Sequence, residues 1–88
     1  MKKNFLFLFI FFAYAIPVLS QSSLLEDAKN NPGDAMKMCN RFKEFNSKGI
    51  SASDDKAIEF VSKTKKLSPI NAEILSIYVI GLYCPQVN

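Results

Sequence analysis

The chain has no histidine in its 88 residues. That absence removes the side chain that titrates near neutrality, the commonest metal ligand and the relay of serine- and cysteine-protease triads. Cysteine is scarce: Cys39 and Cys84 alone. Two cysteines without histidine do not build a structural zinc site, and their separation is far from a redox Cys-x-x-Cys. Asp54-Asp55 lacks the alternating acidic ladder and glycine of a calcium loop. Glu26, Asp27, Asp34, Asp54 and Asp55 fall where helix starts favour negative charge, so capping accounts for them without catalysis. There is no internal repeat and no period-two alternation long enough for a sheet. The expectation is a non-enzyme with no catalytic residues, no metal and no cofactor.

What the chain does have begins with an export pattern. Met1-Lys2-Lys3 gives a positive start, Phe5 to Ile16 is a twelve-residue uncharged run with five phenylalanines, and Pro17 to Ser20 is a short stretch with small residues. This is the three-part pattern of a secretory signal peptide. It is expected over residues 1–20 with cleavage after Ser20, Ala15 being the alternative site. An uncleaved anchor is disfavoured because the run is shorter than the roughly 20 residues of a bilayer span, and no cysteine follows it to carry a lipid. Loss of Lys2 and Lys3 leaves nine Lys+Arg against eight Asp+Glu, so formal charge falls from +3 to +1. The one dense basic patch left, Lys63, Lys65 and Lys66, lies at a helix end where the dipole favours cations. It reads as a solvated helix end, and no nucleic-acid partner is expected.

The mature chain would be one small domain, secreted or periplasmic. A domain of this size buries little surface and often needs a staple. An exported cysteine pair usually oxidises, so Cys39 and Cys84 are the candidate disulfide. The expected division is a signal peptide at 1–20, a short N-terminal helix and turn at 21–33, and a disulfide-stapled helical domain at 34–88. The expected class is all-α: three main helices plus the short one.

Local signals place those helices. Ser23-Leu24-Leu25-Glu26 has capping-box spacing, predicting a short helix over Leu24 to Lys29. Asn30-Asn31-Pro32-Gly33-Asp34 breaks it, and Asn31 or Asp34 can cap the next helix with Pro32 in its first turn. That helix carries Ala35, Met38, Cys39, Phe42 and Phe45 on one face and Lys37, Asn40, Arg41, Lys43 and Glu44 on the other. Gly49 suits the left-handed turn past its end. Ser53 with Asp54 and Asp55 starts a third helix whose inner face is Ala57, Phe60, Val61 and Thr64, ending near Lys66.

The last helix organises the rest. Ser68 is a good N-cap, Pro69 suits the first helical position, and Pro85 stops the ladder after Cys84. At 100° per residue Ile70, Ile74, Ile77, Gly81 and Cys84 share one stripe, and Tyr78, Leu75, Leu82 and Val79 continue the apolar surface. Glu73 and Ser76 mark a narrow wet strip. A helix this apolar must be surrounded by its own domain, a partner or a ligand. Its eleven uncharged residues from Ile74 to Cys84 are too few for a span, so no stable membrane span is expected after cleavage.

Ala35-x3-Cys39-x2-Phe42, then Gly49-x-Ser51, then Leu67-Ser68-x3-Ala72 leading to Tyr83-Cys84-Pro85, resembles a family of short secreted bacterial proteins. The family is classed as a domain of unknown function and is well represented in mycobacteria. The resemblance covers about residues 35 to 86, and it implies a helical domain with one bond between Cys39 and Cys84. The glycine expected nearer the first cysteine stands ten residues later, at Gly49. The family has no activity to lend.

The functional expectation is a non-catalytic binding or protein-interaction module, its partner an unknown protein or a second copy. The candidate interface is Leu75, Tyr78, Val79, Leu82 and Tyr83. The alternative is a carrier of a small apolar ligand, lipid-like or haem-like, held between the helices, for which Tyr78, Tyr83, Met36 and Met38 are the residues to consider. Mass spectrometry of the exported protein should give a chain that begins at Gln21 and is two hydrogens lighter than its reduced form. An intact Met1 end, or no mass change on reduction, refutes the expected processing or the bond.

Overall fold

The computed structural model describes residues 23–88, and the export signal expected over 1–20 lies outside them. Four helices and no strand occur among the described residues: α1 over residues 23–30, α2 at Pro32–Ser47, α3 at Asp55–Lys65 and α4 at Pro69–Tyr83. The all-helical expectation holds.

The local punctuation works largely as read, with three shifts. Ser23 is itself helical rather than a cap. Asn31 sits at the N-cap position of α2, but its side chain makes no cap bond there. It reaches back instead, donating to the Asp27 carbonyl at 3.2 Å and to Asp27 Oδ1 at 2.7 Å. Asn31 therefore closes α1, and Pro32 opens α2 with no N–H to satisfy. Past the end of α2, Gly49 has φ 77°, a left-handed geometry that glycine adopts without a Cβ penalty.

The cap of α3 is Asp54, one residue later than the expected Ser53; its carboxylate accepts from the Lys56 N–H at 3.0 Å. Ser53 instead lies 2.9 Å from Ser51, hydroxyl to hydroxyl. The helix ends with Lys66 at φ 55°, ψ 50°, and the Leu67 N–H reaches the Ser62 carbonyl at 2.9 Å. This is a Schellman-type ending built without glycine. Ser68 caps α4 as expected, accepting from the Asn71 N–H at 3.3 Å, with Pro69 in the first turn.

Most of the packing of α4 is against α3 and then α2, while α2 and α3 touch less. The core is Phe42, Leu75, Val61 and Val79 around the cystine, and Leu24 and Ala28 of α1 join it. Alanines at 28, 35, 52, 57 and 72 are all buried; their small side chains let the backbones approach closely. Two ties hold the periphery. The Tyr83 hydroxyl donates to the Ala28 carbonyl at 2.8 Å, fixing α1 to the end of α4. The Asn46 amide donates to the Asn88 carbonyl at 3.1 Å and its oxygen accepts the Asn88 N–H at 2.8 Å.

Cys39 and Cys84 are bonded, with Cα atoms 6.1 Å apart and a sequence separation of 45. Both are buried. Closing a loop of that length removes chain entropy from the unfolded state, worth roughly 4 kcal/mol in the loop-entropy description. The Cys39→Ala/Cys84→Ala variant should therefore melt roughly 15–30 °C below the oxidised chain, since about 1 kcal/mol moves a domain of this size by 4–8 °C. Calorimetry finding the two within a few degrees would overturn that role.

Candidate interaction surface

The helix with the fewest polar residues is the one whose orientation matters most. On α4 the buried residues are Ala72, Leu75, Ser76 and Val79, with spacings of three, one and three that trace a single helical face. The opposite face is the one left in water. Ile70 is 71% exposed and Ile77 63%, Glu73 and Gly81 are exposed, and Ile74 and Ile80 are half-buried at its margins.

This differs from the sequence reading in three places. Ser76, expected on a wet strip, is buried, and its hydroxyl donates to the Ala72 carbonyl at 2.8 Å. Its polar group is satisfied within its own helix, so a small serine fits a close helix contact. Cys84, expected on the stripe of Ile70, Ile74, Ile77 and Gly81, is in the core. It is the C-cap residue, with φ −147° and ψ 62°, so its side chain no longer follows the 100° progression that places the four others. The expected interface residues also divide. Leu75 and Val79 are in the core, Tyr78 and Tyr83 are half-buried, and Leu82 is 49% exposed. Sequence reasoning passed over Ile70 and Ile77 as surface because a helix apolar all round carries no directional signal. Ala72 and Ser76, small residues one turn apart, mark the close-contact side.

A cleft of about 170 Å³ beside this face is lined by Ser51, Ala52, Ser53, Glu73, Ser76, Ile77, Ile80 and Asn88. A larger cleft of about 320 Å³ lies between α2 and α3, lined by Asp34, Lys37, Met38, Phe60, Thr64, Lys65 and Lys66. Of the four residues considered for a flat apolar ligand, only Met38 lines it. Met36 is exposed, and the Tyr83 hydroxyl is engaged with α1.

The basic patch is largely neutralised. Lys63 pairs with Glu59 at 2.7 Å, and Lys65 bridges Asp27 at 3.1 Å and Asp34 at 3.2 Å. Within this patch Lys66 alone makes no ion pair to a described residue. The Glu59 hydrogen bond and charge raise the Lys63 ammonium, and the Lys63 hydrogen bond and charge lower the Glu59 carboxyl. Burial alone would lower the pKa of Lys65, but the hydrogen bonds and charges of Asp27 and Asp34 outweigh it, so the net shift is upward. Elsewhere Arg41 stacks over Phe45 and Phe60, 4.9 and 5.3 Å from the ring centroids, and pairs with Glu44 at 3.1 Å. Its Nε is buried with no hydrogen-bond partner among the described residues.

The structure so described is an all-helical domain closed by one disulfide, with one apolar helix face turned to solvent. The chain belongs to the family described as Domain of unknown function (DUF8664), which matches residues 25–84. The match starts within α1 and ends at Cys84, so it takes in both cysteines. No curated protein and no solved structure matches the chain. No helix among the described residues is long and apolar enough to cross a membrane.

Lys65 clamps α3 to α1 and α2, so Lys65→Met should lower stability by on the order of 1 kcal/mol, the scale of a partly screened pair. A lysine raised in the folded state stabilises below the unfolded value of 10.5 and loses that contribution as pH rises through the folded value. Melts of wild type and variant should therefore differ near neutral pH and converge as pH rises above 10.5 through the folded value. A gap that is constant across that range would refute the clamp.

Proposed function

We propose that this is an exported, non-catalytic interaction module that binds a protein partner through the outer face of α4. The observation that carries the reading is the pair Ile70 and Ile77, 71% and 63% exposed on one face of a helix whose other face is already saturated by its own core. Large apolar side chains aligned on one face mark contact surfaces more often than scattered ones do. Export is supported by the signal-like start and by a buried cystine, a bond that persists in oxidising compartments. It accords with the short secreted bacterial proteins that the sequence resembles. Lack of histidine supports a role without catalysis. Carriage of an apolar ligand is the weaker reading, because the cleft of about 320 Å³ is lined by Asp34, Lys37, Lys65 and Lys66.

The test is site-specific photocrosslinking in the producing cells, with the photoreactive residue at position 77 and, as a control, at exposed Lys43 of α2. Position 77 should give a discrete protein adduct and position 43 none. Ile70→Lys should remove the adduct while leaving the melting temperature within a few degrees, since it replaces a side chain already in water. Equal labelling from both positions, or none from 77, overturns the reading.

A further inference from the structure

We propose that the outer face of α4 is a two-fold interface between two copies of this chain, the helices running antiparallel about the point between Leu75 and Ser76. This rests on α4 being an interaction face and names its partner.

The first observation is Gly81. It lies inside α4, on the exposed face, and a Cβ built on it would meet nothing within 4 Å. Its backbone is not in the left-handed region, where Gly49 is the one glycine found among the described residues. The monomer has no need of glycine there, and alanine is the stronger helix former. A notch in an exposed apolar stripe serves a neighbour that comes close.

The second observation is the register. Ile70, Ile74, Ile77 and Gly81 are spaced four, three and four, the interval of a helix-pairing seam. Turned over about its midpoint, the stripe sets Ile70 against Gly81 of the second copy and Ile74 against Ile77 of the second copy. One operation makes both contacts twice, as an isologous interface requires. Ile70, the more exposed of the two isoleucines, meets the notch at each end. A parallel pairing would instead set Ile70 on Ile70 and notch on notch.

The third is charge and area. Glu73 is the only charged residue from Ile70 to Cys84, so the face has no cation to attract an acidic partner or an anionic lipid surface. A single stripe of this length covers on the order of 400 Å² per copy, about half of the roughly 800 Å² per partner of a standard interface. The pairing is thus weak and concentration-dependent, in the micromolar-to-millimolar class.

Sedimentation of the oxidised exported chain between about 10 µM and 1 mM tests this. Wild type should pass from monomer to dimer, and Ile77→Lys should weaken pairing at least tenfold with an unchanged melting temperature. Gly81→Ala should raise the melting temperature yet weaken pairing, opposite changes that a purely structural glycine would not give. Ile70→Lys and Gly81→Glu should each weaken pairing alone and together restore it to within about threefold, because the two introduced charges meet. A chain monomeric throughout, or a dimer indifferent to these changes, overturns the proposal. So does failure of the double variant to recover, or a monomer that floats with phosphatidylcholine vesicles. A monomer that still gives the position-77 adduct with a different protein overturns self-pairing and leaves the interaction-face reading standing.

Discussion

The bond between Cys39 and Cys84 joins the middle of α2 to the end of α4 across a separation of 45 residues. Around it lie Phe42, Leu75, Val61 and Val79. The described domain is four short helices, a size at which core burial alone seldom supplies a comfortable margin. The cross-link therefore bears on more than stability. It fixes which end of α4 meets α2, and with Ala72 and Ser76 it fixes which face of α4 turns inward. Once that face is chosen, Ile70 and Ile77 have nowhere to go but outward.

The charged groups do a complementary job. Lys65 gathers Asp27 and Asp34, so α1, α2 and α3 meet at one ammonium. Lys63 is taken up by Glu59. The cluster expected to be a solvated helix end is so at Lys63 and Lys66, whereas Lys65 is drawn in to hold helices together. The C-terminal residues are tied by Asn46, whose amide offers Asn88 both a donor and an acceptor. Against this mostly polar surface, the outer face of α4 stands out as apolar, with Ile70 and Ile77 exposed on it. This is why the functional reading centres there. Membership of the DUF8664 family covers the helices that build this surface.

Helix existence and helix ends were legible in the sequence because their causes are local. Ser68-Pro69 opens α4 and Gly49 turns the chain after α2 as read, since a cap bond or a positive φ is decided within a few residues. The amphipathic faces of α2 and α3 were largely legible: Ala35, Met38, Cys39, Phe42, Ala57 and Val61 are buried, whereas Phe45 and Phe60 at the margins are half-buried and Thr64, expected inside, is exposed. Where competing local bonds existed, the reading slipped. Asn31 turned back to Asp27, and Asp54 rather than Ser53 took the cap.

The rotation of α4 was not legible, and the candidate surface depends on it. A helix apolar around its circumference presents many nearly equivalent faces to a core, so periodicity selects none of them. Packing chose the face that carries Ala72 and Ser76, placing Ser76 inside and Leu75 and Val79 beyond reach. Cys84 reached its partner only by leaving helical geometry, a departure that a residue-by-residue projection cannot register. The sequence by itself determined an all-helical chain with its breaks, caps and two cysteines, because those follow from short-range sterics and hydrogen bonding. Tertiary structure alone decided which isoleucines face water, because that depends on how closely three other helices can approach.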